Sequence, residues 1–569
     1  MAIDSYDPVL NSYLNDFKKN FDLKSLPESE LFEFFSAYCV YHRDFSEHTE
    51  LQDVIVAGGN DTAIDSIGIF INDIPVTSKE QVDEVSSKSR FKTDFVFGQS
   101  KASKNLNAAE IGSFIQGVRE FFSGQYMPAN DGISIKRGLS SHIFSLSVKM
   151  KEKPRLNLFY CYAGSYKQDA VVAARVEAGK ADLAALNMFS EIEFVFLDSN
   201  ALQERYQEVN LRIEKEIQVN EYASLPVIAG IRQSYIGVLP CCELVKLLSN
   251  SDGRLQKSLF NENVRDFLSS NPVNDEIVET IRSSEAQSRL PALNNGITIV
   301  ARGIMIIGKK FTLSDFQIVN GCQTSHLIFE NQSYLRPETS VVVKMVELED
   351  RELINDIVRA TNRQTEVKDE AFVVLDEFHK KLERFFASID ATPENKLVYE
   401  RRKRQYSDTA YTTKNIVTLT FLTNSFVSCI LENPVDAVDY YGILLRRYSN
   451  RMFRDGHSFW SYLLSATIMR EIEKLSVGEV RRSLWKFRFI LGVLVRRSFG
   501  TVPGLNNDKA QMEYASKALT ICHDRAKFVA RLTEAERKIA EAIEREGTGF
   551  DVLNAHQDRR FVDKLLGRA

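Results

Sequence analysis

The sequence predicts an α/β N-terminal domain (1–210), a mixed α+β central domain (211–365) and an α-helical C-terminal region (366–569). Three observations predict it. The 569 residues exceed what one hydrophobic core can organise, since single cores stop growing at roughly 250–300 residues. Runs of helical and strand period alternate up to about residue 205 and give way to short apolar runs between 220 and 350. Beyond 351 the pattern is overwhelmingly helical.

Taken in order, LPESELFEFFSAYCVYHR places Leu31, Phe34, Phe35 and Tyr38 on one helical face. The turn AGGND leads into the strand-like DSIGIFIND, and DFVFGQSK is a second strand. AAEIGSFIQGVREFF returns to helical period through Ile111, Phe114, Ile115, Val118 and Phe122, as a helix that covers the sheet. LNLFYCYAG and IEFVFLDSN, separated by the helical VVAARVEAGKADLAAL, extend the α/β layer. The central domain is carried by LPVIAGI, YIGVLP, GITIVARGIMIIG, DFQIVNG and SVVVKMVEL. Thr533 and Glu536, at capping-box spacing, predict the start of a late helix, TEAERKIAEAIERE.

With 44% hydrophobic and 26% charged residues, the composition is that of a folded globular protein and not of a disordered or fibrous chain. No basic start followed by an apolar segment opens the sequence, and there is no run of about 18 apolar residues, so no membrane association and a cytoplasmic location are expected. Seven cysteines lack CxxC spacing and partnered histidines, which implies neither a zinc site nor a disulfide framework. The net charge of −5 gives no global attraction to nucleic acid, so binding must come from local basic surfaces and metal ions.

The N-terminal pattern carries chemistry. Metal-assisted phosphodiester hydrolysis needs oxygen ligands beside the phosphate and a cationic group for the charge that develops. Strand side chains alternate faces, so Gln99 and Lys101 point the same way and can meet Asp65 across the sheet. Asp65 is expected as the principal carboxylate, Gln99 as a carbonyl ligand, Glu33 on the first helix as a further carboxylate, and Lys101 as the group that orients water and offsets charge. Asp61 is the substitute for Asp65, and Gly58 and Gly59 permit the tight entry into the strand. Read without chemistry, Asp65 is a strand-end residue, Lys101 a solvated edge charge and Gln99 an ordinary polar residue.

GGNDTAIDSIGIFIND followed by FVFGQSKAS resembles the PD-(D/E)xK nuclease superfamily, in the variant with glutamine before x-Lys. The resemblance covers roughly residues 25–125 and implies a restriction-endonuclease-like fold, Mg²⁺ (or Mn²⁺) as cofactor and nucleic acid, chiefly DNA, as substrate. Gln99 departs from the commonest acid and lowers the charge that holds the metal.

A second resemblance rests on LPALNNGITIVA (290–301), DFQIVNGCQTSHLIFE (315–330), ATNRQTEVKDEAF (360–372) and YERRKRQY (399–406), with LFNENVRDFL at 259–268. Together these resemble the AIPR family, named for abortive-infection phage resistance, which implies a bacterial antiphage role and a partner protein of a defence system. Asn294, Asn295, Asn320, Gln323, Thr324, Asn362, Arg363 and Gln364 form an amide-rich set that either reads nucleic acid, with Arg401, Arg402, Lys403 and Arg404 attracting phosphate, or locks domain packing. Cys322 with His326 is weighed as a nucleophilic pair against chance helical spacing, and Glu366-x-Lys368 as a solvated first-turn charge. RRSLWKFRF (481–489) and RRYSNRMFR (446–454) suit phosphate contact and base stacking, or are amphipathic helices. The expectation is an Mg²⁺-dependent antiphage endonuclease that pairs as a homodimer for double-strand cuts. Its alternatives are a nuclease-inactive nucleic-acid or protein sensor acting through a partner, and an RNase.

Overall fold

The computed structural model describes residues 7–568 except 22, 24–25, 46–48, 57–61, 89, 125–128, 167–168, 211–213, 229, 251–252, 257–258, 261–271, 284, 349–369, 402–404, 407–408, 477–484 and 548. The first unit begins with helices α1 (Pro8–Asn20), α2 (Glu28–Asp44) and α3 (Leu51–Val54). Strands β1 (Ser66–Ile71) and β2 (Ile74–Pro75), helix α4 (Lys79–Lys88) and strand β3 (Thr93–Lys101) follow. Next come α5 (Ala108–Ser123), α6 (Asp131–Ser145), β4 (Arg155–Tyr162), α7 (Ala170–Ala184), β5 (Glu191–Leu197) and α8 (Ser199–Asn210). The strands make one sheet in the order β2-β1-β3-β4-β5, with β1 antiparallel to β3 and β3, β4 and β5 parallel.

Both faces of this sheet are covered, which is why β1 and the middle of β3 are apolar on alternate and intervening positions alike. Ile67, Ile69, Phe95, Phe97, Leu158, Tyr160 and Tyr162 pack against Ile111, Phe114 and Ile115 of α5. Phe70, Val96, Phe159 and Cys161 face the other way, into a core built by α1, α2 and α8. The Cβ-free position that brings α5 against the loop before β1 is Gly117: an added Cβ would lie 2.0 Å from the carbonyl oxygen of Thr62. Thr62 and Ala63 themselves take left-handed conformations, φ +53° and +60°, as the chain turns toward Asp65.

The second unit holds β6 (Glu214–Gln218), β7 (Glu221–Ser224), β8 (Gln233–Pro240), α9 (Cys241–Leu248), α10 (Pro272–Arg282), α11 (Leu290–Leu293), β9 (Ile297–Ile307), β10 (Lys310–Asn320), α12 (Cys322–Glu330) and β11 (Ser340–Glu347). Its six strands order β6-β10-β9-β11-β8-β7, with only β9 and β11 parallel. LPVIAGI, expected to contribute an apolar element, lies outside the strands: Pro226 lacks the N–H a ladder needs, and Val227 is fully exposed.

From 370 onward the chain is mostly helical around a large separate core that runs from Phe378 to Leu566. A two-stranded parallel piece, Val398–Glu400 with Ile416–Thr418, interrupts the helices. The late helix spans Arg525–Glu546 and starts ahead of the expected Thr533. Asp524 caps it by accepting from the Lys527 N–H at 3.1 Å, and Phe528 and Leu532 carry the buried stripe through the supposed boundary.

Candidate active site

Asp65 stands one residue before β1, where antiparallel pairing with β3 ends. Ser66 is opposite Gly98. The Asp65 N–H donates to the Gly98 carbonyl at 2.9 Å, and its carboxylate accepts from the Ser100 N–H at 2.6 Å. The acid is therefore fixed beside Gln99, and it is 6% exposed. Parallel register sets Gln99 next to Tyr160 and Lys101 next to Tyr162. Because Tyr160 and Tyr162 belong to the α5-facing core, alternation puts Gln99 and Lys101 on that same face.

Two observations distinguish this patch from ordinary core. The Gln99 Oε1 atom is buried and has no hydrogen-bond partner among the described residues, a situation that costs about 1–3 kcal/mol in a packed interior. The same holds for the Tyr162 hydroxyl. Lys101 is half-buried and makes no ion pair among the described residues. A buried carbonyl oxygen beside a held carboxylate matches the donor set of a hard divalent cation. The phenols are pushed well up by burial, Tyr160 further by Glu110 and Asp65, Tyr162 by Asp198 and Tyr166.

Glu33 comes from α2, which covers the opposite face: the Tyr41 hydroxyl of that helix donates to Ser66 Oγ at 3.1 Å, and Ser36, one turn from Glu33, lies against Cys161. Glu110, absent from the sequence expectation, sits in the first turn of α5, and its Oε2 accepts from the Tyr160 hydroxyl at 3.3 Å. The signal was its place just after Asn107, which caps α5 by accepting from the Ala109 N–H at 2.9 Å. Among the described residues no three His, Cys, Asp or Glu side chains are grouped for a metal. Asp61, Gly58 and Gly59 lie outside the described residues.

The central amides divide. Asn294 donates to Thr324 Oγ1 at 2.9 Å and accepts from the Gly296 N–H at 2.9 Å, tying the turn before β9 to α12. Asn320 accepts from the Gly321 N–H at 2.7 Å, and Gly321 approaches the Gly296 carbonyl so closely that a Cβ would lie 2.9 Å from it. Asn294 therefore serves the packing lock, whereas Asn295 and Gln323 are exposed at the same end. Arg401 is engaged with Glu383 at 2.9 Å. Asn362, Arg363, Gln364, Glu366, Lys368, Arg402, Lys403 and Arg404 lie outside the described residues.

Cys322 does not have the environment of a nucleophile. Burial pushes its thiol up to about 11, its sulfur faces the Ile318 carbonyl at 3.6 Å, and His326 packs on the Phe260 ring. The described aromatic residues of the two basic runs are buried, whereas Arg446, Arg451 and Arg454 are exposed and residues 481–484 lie outside the described residues. Trp485 Nε1 donates to Asp53 Oδ1 at 2.7 Å, and Arg488, stacked 4.2 Å over the Trp485 ring, reaches Asp53 Oδ2 at 2.9 Å. Arg447 bonds Asp439 at 2.7 Å and also reaches Glu84, while Met452 and Phe453 are buried.

Residues 260–492 match the family model of the AIPR protein. The AIPR segment thus takes in β9, β10, α12, β11 and the helices up to the buried Gly492, including Trp485 and Arg488. It supports the AIPR resemblance and, with it, a role in antiphage abortive infection. No curated protein and no solved structure matches the chain. Among the described residues no helix is long and apolar enough to cross a membrane.

Proposed function

We propose that the N-terminal unit is a metal-dependent endonuclease acting on DNA, in a protein whose AIPR segment serves antiphage defence. The observation that carries this reading is the placing of the Asp65 carboxylate, just before β1, beside Gln99 and Lys101 of β3, whose amide oxygen and ammonium group have no partner among the described residues. Asp65 and Gln99 would hold Mg²⁺, or Mn²⁺, whereas Glu33, the further acid of the sequence expectation, comes from α2 on the opposite face of the sheet. Bound there, the ion supplies charge neutralisation at phosphate and a more acidic water. Lys101 contributes a fixed positive charge and three N–H donors for phosphate oxygens, at a half-buried position where water screens it less than at the surface. The Ser100 N–H orients the Asp65 carboxylate by donating to it.

Plasmid, labelled duplex DNA, single-stranded DNA and RNA are incubated with the full chain and Mg²⁺, beside Asp65→Ala and Lys101→Ala. Metal-dependent cutting of duplex DNA that both substitutions reduce by at least about a hundredfold is expected. Cutting confined to RNA would replace DNA with RNA as the substrate. A second reading, a nuclease-inactive sensor that signals through a partner protein, is favoured by the neutral Gln99 in place of an acid. Indistinguishable behaviour of all three proteins on every substrate would leave that reading standing and remove the enzyme.

A further inference from the structure

We infer that Glu110 supplies the second negative charge to the cation site of Asp65 and Gln99, with Tyr160 as the strut that positions it. This rests on the metal-dependent reading above and assigns that site a ligand from α5, a helix the sequence marks only as a cover for the sheet.

The argument begins with register. Adjacent strands are about 4.8 Å apart, and residues paired across them share a face. Asp65 stands beside Gln99, and Gln99 beside Tyr160, so the three form one row across β1, β3 and β4. Tyr160 reaches from that row to α5, where its hydroxyl donates to Glu110 Oε2 at 3.3 Å. The same phenol lies in the fields of Glu110 and Asp65, which places both carboxylates around one ring.

The valences left open agree. Glu110 is half-buried, so its second carboxylate oxygen stays open to solvent and to a ligand. Gln99, 2% exposed, leaves its carbonyl oxygen unmatched in the same row. Buried acceptors in a packed interior are normally paired, so the unmatched Gln99 oxygen next to the anionic Asp65 carboxylate calls for a cation, and Glu110 reaches the same row through Tyr160. Charge points the same way. A neutral amide at position 99 leaves Asp65 as the single anionic ligand in the row, and a second carboxylate restores the two negative charges that match a divalent ion.

Mn²⁺ binding to the full chain, followed by the loss of its free-ion electron paramagnetic resonance signal, tests this without reference to cutting. Asp65→Ala should abolish binding. Glu110→Gln keeps an acceptor for the Tyr160 hydroxyl and removes only the charge, and it should weaken binding by about tenfold or more. Tyr160→Phe keeps the charge and removes the strut, and it should weaken binding by up to about tenfold. Metal-free melting curves of the variants separate loss of fold from loss of ligand. Wild-type affinity in both Glu110→Gln and Tyr160→Phe, with binding lost in Asp65→Ala, overturns the role of Glu110 and leaves the metal site. Equal Mn²⁺ binding, or equal absence of it, in wild type and Asp65→Ala overturns the metal site and this assignment with it.

Discussion

Alanine at position 117 tests how tightly α5 is fitted to the segment that carries Asp65. The added Cβ would stand 2.0 Å from the Thr62 carbonyl oxygen, whereas real Cβ atoms essentially never come within 3.0 Å, so helix and loop must separate by about 1 Å. The obstacle is backbone and cannot rotate away. The loop has little freedom to yield, because Thr62 and Ala63 already hold left-handed conformations at roughly 1–2 kcal/mol each. Two residues farther on, the Asp65 N–H is bonded to Gly98. Overpacking of this kind costs about 1–3 kcal/mol. The substitution also brings the helix-propensity gain of alanine over glycine, about 1 kcal/mol, leaving a net destabilisation of about 0–2 kcal/mol. Gly138 on α6 is the matched control: nothing lies within 4 Å of its would-be Cβ, so Gly138→Ala gains about 0.5–1 kcal/mol without a clash. Urea midpoints of the N-terminal transition, measured with Mn²⁺ affinity, check both. If Gly117→Ala is as stable as Gly138→Ala and binds Mn²⁺ like wild type, the close fit described here is wrong.

Lys136, 6% exposed on α6, is pushed down to about 8 by burial against only partial help from Asp53. Below pH 8 both folded and unfolded chains carry its proton and the burial cost is present in full. Between 8 and 10.5 the unfolded chain keeps a proton the folded chain has lost, so stability climbs with pH. Lys136→Met should therefore stabilise at pH 7 by on the order of 3 kcal/mol and lose that advantage above pH 10.5, read as melting temperature against pH. Asp53→Asn weakens the charged bond to Arg488 and disturbs that to Trp485, loosening the C-terminal helices by about 2–3 kcal/mol. A red shift of tryptophan emission and faster proteolysis between the units report it, and unchanged emission would contradict the contact. Brief iodoacetamide treatment at neutral pH should label Cys242, the one exposed cysteine, and spare Cys322, as mass spectrometry of peptides can verify.

The row of candidate ligands was legible because period two is a local property: Gln99 and Lys101 share a face in any strand. What covers that face is not local. Glu110 reads as an ordinary first-turn acid until Tyr160, fifty positions away, is brought against it. The run WKFRF shows the converse. Arginine and aromatic side chains on a helix look alike whether they await phosphate or meet a carboxylate, and the partner of Trp485 lies 432 positions upstream at Asp53. The stretch LPVIAGI is apolar enough for a strand, but its proline and its exposed valine show that hydrophobic content without alternation does not specify pairing. Thr533 failed as a boundary because the buried stripe of Phe528, Leu532 and Ala535 runs straight past it.

The grip of Trp485 and Arg488 on Asp53 has a mechanical meaning. Two residues past Asp53, Ile55 bridges to Ser66, and the Val56 N–H bonds the Asp65 carbonyl at 2.8 Å. A force that prises the C-terminal helices away is therefore delivered to the flank of Asp65 through a few stiff backbone bonds.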